Sequence, residues 1–194
     1  MSNNVIRKAI QKVATGPEFS KNISEEESYD TMMDILDNES DSIQAAIYLI
    51  AMRMKRETME ENIGSLKALI DRSNIITANV DELLDIAEPY NGFLRNTPLS
   101  AFLPAVFSAI GIPCLTHGVN TVGPKFGLTA KKILKASGVN VNNDLQAASD
   151  FLSNENIGWT YIDQEKFCKP LYDLIDLRTR MVKRTILTLS LIHI

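Results

Sequence analysis

The residues best suited to chemistry in this chain lie between Thr116 and Gly127. The stretch Thr-His-Gly-Val-Asn-Thr-Val-Gly-Pro-Lys-Phe-Gly contains three glycines, one histidine and one lysine, and it follows an apolar strand candidate. Glycines allow backbone N–H groups to approach a ligand closely, and successive N–H groups beside a cation form a typical anion site. The stretch therefore predicts a binding site for a phosphate or a similar anionic group.

The preceding loop, residues 88–93, has the opposite character. Glu88 would place a carboxylate near a phosphate, and like charges at that range repel by ~1–4 kcal/mol, depending on solvation. Pro89 has no N–H to donate, and Tyr90 blocks the close approach that glycine permits. The Asn-Gly pair that follows favours a plain turn over a remnant cradle. We interpret the two loops as a phosphate site with one half kept and the other half rewritten.

The composition sets limits on partners and location. The 194 residues carry a net charge of −4, so a polyanion would have to meet a local basic patch. The N-terminus has no apolar core of signal-peptide length, and no run approaches the ~18 apolar residues that span a bilayer. Cys114 and Cys168 are far apart and have no metal-ligand neighbours, which favours reduced, buried thiols in a cytoplasmic protein without membrane partners.

The last six residues, 189–194, need a separate interpretation. Leu-Ser-Leu-Ile-His-Ile is the translation of a common sequencing-transposon adapter, so we interpret these residues as a scar and exclude them from function. The alternative is a genuine apolar strand. The scar interpretation would make the chain the front part of a longer protein, and it leaves His117 as the histidine to consider.

Residues 1–76 are predicted to form a helical domain of four helices joined by short loops. Val5, Ile6, Ala9, Ile10 and Val13 make one apolar helical stripe. Capping boxes are predicted at Ser24 and Thr58, and Ser40 or Asp41 is predicted to cap the helix between them. The stretch Ala45 to Met54 is apolar nearly all round, which predicts that this helix is buried.

Residues 80–188 alternate between strand and helix patterns. This alternation predicts the first part of a parallel-sheet α/β domain, with ligands at the carboxyl ends of the strands. Thr97 is the predicted N-cap of the first helix, with Pro104 expected to kink it. The predicted strands are residues 83–86, 113–116 and 159–162, and the predicted helices are residues 98–110, 129–137, 145–152 and 170–183.

Three segments of the helical domain resemble the anthranilate phosphoribosyltransferase family. They are Ser40-Asp41-Ser42-Ile43-Gln44-Ala45-Ala46, then Ala51-Met52-Arg53-Met54-Lys55, then Glu57-Thr58 with Glu61. The family pattern is a similar S-D-x-Q-x-A followed by A-x-R-M-K-G-E-T, with Arg56 here in place of the glycine. Leu83 to Gly118 aligns with the family without a gap. The resemblance implies an α/β phosphoribosyltransferase-type domain behind the helical domain.

The resemblance also implies a set of site residues. The family's first loop, Gly-Thr-Gly-Gly-Asp, wraps the pyrophosphate of phosphoribosyl pyrophosphate, and its positions fall on Glu88 to Gly92. In the second loop His117 and Gly118 match, whereas Thr116 and Asn120 replace a lysine and an arginine. No catalytic residue is assigned. The substrate-binding candidates are Asn91, Gly92, Arg95, His117, Gly118, Asn120, Lys125 and Gly127.

The activity implied by the resemblance is transfer of a phosphoribosyl group to an anthranilate-like acceptor, with Mg²⁺ as cofactor. Ser100 matches the serine that contacts magnesium in the family's Asn-x-Ser-Thr motif, but Pro98 and Ala101 replace its neighbours. The family's acidic magnesium pair is expected to lie beyond the point where this chain ends. A donor other than phosphoribosyl pyrophosphate, meaning another phosphorylated sugar, is left open. Family members dimerise through the helical domain, so a homodimer is expected.

Two basic clusters support a different hypothesis, a non-catalytic paralogue that binds nucleic acid. Some members of the wider family group bind nucleic acid, and local cations on an acidic chain fit such a partner. A solvated basic face is the ordinary explanation of such clusters, and no aromatic residues are interleaved for base stacking. The first cluster consists of Lys131, Lys132 and Lys135, and the second consists of Arg178, Arg180, Lys183 and Arg184.

Overall fold

The computed structural model describes residues 5–16, 18–87, 92–123 and 125–189. It divides into two compact units. The first, the helical unit, consists of Met1–Ser73 together with Asp173–Ile194, and the second, the α/β unit, is Asn74–Tyr172. The predicted boundaries of 1–76 and 80–188 differ from this division, because the stretch after Tyr172 returns to the helical unit.

The helical unit contains the four expected helices and two later ones. The six are α1 (Val5–Val13), α2 (Glu25–Leu36), α3 (Ser42–Lys55), α4 (Met59–Asp71), α10 (Ile175–Met181) and α11 (Ile186–Leu189). Both predicted capping boxes are confirmed, with the side chains of Ser24 and Thr58 accepting from the backbone N–H groups of Glu27 and Glu61, three residues later. Asp41, rather than Ser40, caps α3. Helices α10 and α11 both pack against α3.

Helix α3 is less buried than its composition predicts. Ala45, Tyr48, Leu49 and Met52 are buried. Ile43, Ile47 and Met54 are 66%, 45% and 77% exposed, so the expectation of burial all round is wrong. Residues three and four apart share one helix face, and the four buried side chains of α3 lie on the same face. The opposite side contributes to an apolar groove of about 540 Å³ lined by residues of α1, α3 and α10.

Glu61 on α4 is the polar centre of the helical unit. Its side chain is fully buried and accepts from the backbone N–H groups of Ile23 (2.9 Å) and Thr58 (2.8 Å). Its charged partner is Lys55 at the end of α3, whose Nζ lies 2.6 Å from Oε2. A buried carboxylate needs such partners because an unpaired charge in the interior is costly. The network therefore ties the ends of α3 and α4 to the segment before α2.

The α/β unit contains a three-stranded parallel sheet. Its strands are β1 (Leu84–Ala87), β2 (Cys114–Gly118) and β3 (Trp159–Asp163), in the order β1-β2-β3. The register aligns Ala87 with His117, His117 with Ile162, and Gly118 with Asp163. Strand β2 is longer than predicted. His117 and Gly118 consequently belong to the strand and stand at its carboxyl end.

The helices of the α/β unit depart from prediction at two prolines. The expected helix over 98–110 begins as a 3-10 helix, Leu99–Phe102, with Pro98 in place of Thr97 at its N-cap, and continues as α5 (Leu103–Ala109). Pro104 has no N–H to extend the earlier turn, so it lies in the first turn of α5. The expected helix over 170–183 is divided between α9 (Lys169–Asp173) and α10, and the remaining helices are α6 (Ala130–Ala136), α7 (Leu145–Ser153) and α8 (Gln164–Phe167).

Candidate functional site

The loops that follow β1 and β2 are joined by one backbone bridge. Phe93 N–H donates to the Leu128 carbonyl, and Leu128 N–H donates to the Phe93 carbonyl, both at 2.8 Å. We call this pair the Phe93–Leu128 bridge. It brings together the two segments that the sequence singles out, at the carboxyl edge of the sheet.

Two glycines allow the bridge to form. A Cβ added to Gly92 would lie 2.6 Å from the Gly127 carbonyl carbon, and a Cβ added to Gly127 would lie 2.5 Å from the Phe93 oxygen. Gly92 also has a φ of +91°, which L side chains rarely adopt. Close backbone packing therefore accounts for Gly92 and Gly127 without any ligand. Asn91 and residues 88–90 lie outside the described residues.

The rest of the second loop is held by its own hydrogen bonds. Thr129, the N-cap of α6, donates its hydroxyl to the Asn120 carbonyl at 3.1 Å. Lys132 Nζ donates to the Gly127 carbonyl at 3.0 Å. Val119 and Val122 are buried beneath the loop, whereas the side chains of Asn120 and Lys125 are exposed. The side chains of Asn120 and Lys125 are thus exposed on a loop whose backbone carbonyls accept hydrogen bonds from Thr129 and Lys132.

Arg95 and Ser100 lie in the segment after the bridge. Arg95 is exposed, and Ser100 is half-buried in the 3-10 helix. Within the described part of the chain, no group of three or more acidic, histidine or cysteine side chains could hold a metal ion. Magnesium requires near-octahedral oxygen coordination, and a single hydroxyl does not supply it. The described residues therefore do not form a magnesium site.

His117 is buried beside an acidic residue that the sequence analysis did not single out. Its Nε2 lies 3.3 Å from Asp85 Oδ2 on the neighbouring strand. Its ring meets that of Phe167 edge to face, with centroids 5.5 Å apart. The signal was available in the sequence, because Asp85 is a carboxylate inside an otherwise apolar strand. Asp85 was missed because the candidate residues were sought in the loops and Asp85 lies in a strand.

A buried ion pair lies at the end of β3. Lys131 of α6 is paired with Asp163, whose side chain is 2% exposed. Burial lowers the pKa of the Lys131 ammonium, and the nearby Glu165 carboxylate opposes this shift. The hydroxyl of Tyr161 is buried close by, 3.7 Å from where a Cβ on Gly118 would lie, and burial raises its pKa. Lys131 is therefore part of the sheet edge and not of a solvated basic face.

The second basic cluster, on α10 and after it, is partly buried. Arg178 is only 3% exposed, and burial lowers the pKa of its guanidinium to about 10. A side chain buried to this extent is not presented at the surface, which does not favour Arg178 as a nucleic-acid contact. Arg180 lies 3.6 Å from Asp176 one turn earlier. Lys183 is exposed, and Arg184 is half-buried.

The two cysteines agree with the sequence-based expectation. Cys114 and Cys168 are free and buried. Burial raises the pKa of the Cys114 thiol to about 11, so this thiol is protonated and unreactive at neutral pH. Among the described residues, no helix is long and apolar enough to cross a membrane.

Comparison with known proteins places this architecture in a class. Residues 7–73 match the helical bundle domain of a glycosyl transferase family. The fold resembles anthranilate phosphoribosyltransferase from Thermus thermophilus, with a TM-score of 0.77, 20% identity, and coverage of 96% of this chain and 53% of that one. The Saccharomyces cerevisiae enzyme in complex with phosphoribosyl pyrophosphate and Mg gives a TM-score of 0.74 at 15% identity, with 95% and 52% coverage. The class is thus a helical domain joined to a phosphoribosyltransferase-type α/β domain.

Sequence relatives give a second, independent likeness. The anthranilate phosphoribosyltransferase of Methanothermobacter thermautotrophicus is 30% identical over 167 residues, which is 86% of this chain and 45% of that protein. Over most of its length the chain is thus similar to anthranilate phosphoribosyltransferases. It spans about half the length of the curated relatives it matches.

Proposed function

We propose that the carboxyl edge of the sheet binds phosphoribosyl pyrophosphate or another phosphorylated sugar. The protein would transfer the phosphoribosyl group to an anthranilate-like acceptor, as part of tryptophan biosynthesis. The observation that carries the proposal is the Phe93–Leu128 bridge, which holds the loops after β1 and β2 together. Parallel α/β sheets bind ligands at this edge.

The described residues suggest a division of roles at this edge. Lys125 and Arg95 are the exposed cations of the two loops and are proposed to meet phosphate oxygens. Asn120 is proposed as an exposed polar contact, and His117 and Gly118 are proposed to line the acceptor side at the end of β2. Use of Mg²⁺ is proposed from the yeast neighbour that carries it, since Ser100 alone does not form a site.

The rewritten first loop should weaken this site. Replacing both Glu88 and Pro89 by glycine removes a repulsive charge and restores an N–H donor. We expect the double variant to bind phosphoribosyl pyrophosphate more tightly by ~1–3 kcal/mol, measured by calorimetry with magnesium present. Glu82→Gly is the matched control, because it removes an exposed carboxylate from the segment before β1.

The outcomes of this experiment differ clearly. Equal affinity in the wild type and the double variant would contradict a repulsive first loop. Tight binding by the unaltered protein would contradict the degraded loop and support an active transferase. A gain in the Glu82→Gly control equal to that of the double variant would mean that net charge, and not the loop, sets the affinity.

Nucleic-acid binding is the alternative function. Its two clusters retain exposed side chains at Lys135, Arg180 and Lys183, whereas Lys131, Lys132 and Arg178 are buried or bonded within the protein. A titration of DNA and RNA over a salt series tests it, because phosphate contacts make affinity fall steeply with salt. Salt-dependent binding without sugar-phosphate binding would favour this alternative over the transferase.

We also propose that the protein is a cytoplasmic homodimer. The location is proposed because both cysteines are buried and not joined in a disulfide, which is typical of a reducing compartment. The uncovered apolar side chains of α3 support the assembly, because exposed apolar patches on this scale often mark an interface.

A further inference from the structure

The pair His117 and Asp85 has a geometry that the proposed function does not yet use. His117 Nε2 lies 3.3 Å from Asp85 Oδ2, with the His117 side chain 4% exposed and that of Asp85 33% exposed. Within the described residues neither ring nitrogen has an aligned hydrogen-bond partner. The Asp85 carboxylate is thus the closest charged group to one specific nitrogen of a buried ring.

The sheet register explains why these two side chains meet. Ala87 lies opposite His117, and Asp85 lies opposite Leu115, so Asp85 is two residues from the partner of His117. Side chains two residues apart point to the same face of a strand. The imidazole also contacts the ring of Phe167 edge to face. The His117 ring therefore has a carboxylate on β1 and an aromatic ring on α8 as neighbours.

We propose that Asp85 is a positioning residue that fixes the tautomer of His117. The negative charge of a carboxylate 3.3 Å from Nε2 favours the proton on that nitrogen, even where the two groups are not aligned as a hydrogen bond. Nδ1 is then the ring nitrogen that carries the lone pair. Fixing one ring nitrogen by a carboxylate sets what the other nitrogen can do. His117 becomes a hydrogen-bond acceptor with a defined direction.

This inference rests on the proposed function only for the identity of the group that His117 Nδ1 would contact. Both ring nitrogens are buried, so Nδ1 would accept from an amine or hydroxyl group of the acceptor molecule only if ligand binding opens the acceptor side of the site. A carboxylate or phosphate oxygen would not be accepted at that nitrogen, because neither group offers a proton near neutral pH. The acceptor class would therefore be one with an N–H or O–H donor.

Histidine NMR tests the positioning role directly in the 194-residue chain. The chain has two histidines, so His193→Gln leaves His117 as the only imidazole signal. Long-range ¹H–¹⁵N correlations at pH about 9, where a histidine ring is ordinarily neutral, show which nitrogen carries the proton. We expect a single tautomer with the proton on Nε2. A proton on Nδ1 would overturn the proposal.

Two variants of Asp85 and one control separate the contact from general effects. Asp85→Val removes the acceptor and should give a mixture of tautomers, whereas Asp85→Asn keeps one neutral acceptor oxygen and should give an intermediate mixture. Asp81→Val removes an exposed carboxylate four residues earlier and should leave the spectrum unchanged. A spectrum that neither Asp85 variant alters would overturn the proposal, as would an equal change in the Asp81 control. The Asn variant decides the matter if the Val variant fails to fold.

Ligand binding provides the separate test of the acceptor class. Calorimetry compares anthranilate with benzoate, which lacks the amine. We expect anthranilate to bind more tightly to the wild type and this preference to shrink in Asp85→Val. If neither compound binds while the tautomer result is as expected, the proposed function fails and the positioning role stands. If the wild type and Asp85→Val prefer anthranilate equally, His117 does not recognise the anthranilate amine.

Discussion

At the residue scale, the two glycines of the Phe93–Leu128 bridge are the most constrained positions of the site. The gap between their backbones leaves no room for a methyl group. We expect Gly127→Ala to destabilise the protein by about 1–3 kcal/mol, because the added Cβ must displace the Phe93 carbonyl and with it the bridge. Chemical unfolding monitored by circular dichroism measures this change.

Gly118→Ala is the matched control for the bridge. Its added Cβ would meet only the Tyr161 hydroxyl, at 3.7 Å, which is ordinary van der Waals contact. We expect its free energy of unfolding to stay within about 0.5 kcal/mol of the wild type. An equal loss in both variants would mean that glycine at the sheet edge matters for reasons other than the bridge.

At the element scale, the Glu61 network joins the end of α3 to the start of α4. We expect Glu61→Ala to cost about 3–5 kcal/mol, because it leaves the Lys55 ammonium buried without its carboxylate. Lys67 lies on the same helix as Glu61, and Lys67→Ala breaks an exposed ion pair with Glu25 that should cost less than about 1 kcal/mol. Comparable losses in the two variants would contradict the importance of burial.

The ends of α2 and α4 are joined by an ion pair that should depend on pH. Two hydrogen bonds of 2.6 Å from Arg72 hold the pKa of the Asp37 carboxyl below its usual range. A depressed pKa contributes stability above the unfolded-state pKa of about 3.9, and this contribution is lost as the pH falls through the folded-state value. We expect Asp37→Asn to cost less than about 1 kcal/mol at neutral pH, since both side chains are about one-third exposed. The difference from wild type should vanish in acid.

A double-mutant cycle checks the origin of that difference. Arg72→Gln alone should lose as much as Asp37→Asn, and the double variant should lose little more than either. Additive losses at neutral pH would mean that the two side chains act independently. A difference that persists in acid would exclude the carboxylate charge as its source.

The sequence predicted those features that depend on neighbours along the chain. The caps at Ser24 and Thr58 use hydrogen bonds between residues three apart, so the local pattern specifies them. The parallel sheet followed from alternating strands and helices. The pairs His117 with Asp85 and Lys131 with Asp163 were missed, since each joins residues about thirty positions apart and depends on strand register. Periodicity also does not tell which apolar face of α3 lacks a partner.

At the scale of the whole molecule, the uncovered face of α3 predicts the homodimer. We expect Ile47→Asp to convert a dimer into a monomer at micromolar concentration, because it buries a charge in an apolar groove. Sedimentation velocity measures the assembly state. Ile75→Asp alters another exposed isoleucine, outside this groove, and should leave the dimer intact. A monomeric wild type, or equal dissociation of both variants, would contradict the assignment of this face.

The Phe93–Leu128 bridge should control the hydrogen exchange of two backbone amides. The amide protons of Phe93 and Leu128 take part in the same reciprocal pair of hydrogen bonds. Neither proton is therefore expected to exchange with solvent unless the two loops separate. The two amides should therefore share one protection factor against deuterium exchange, although they lie in loops that follow different strands. A bound sugar phosphate that spans both loops would raise that shared protection factor and slow both exchange rates, and a ligand confined to one loop would slow them less. The exchange rate of the bridge thus reports how a ligand sits at the sheet edge, without any need for catalytic turnover.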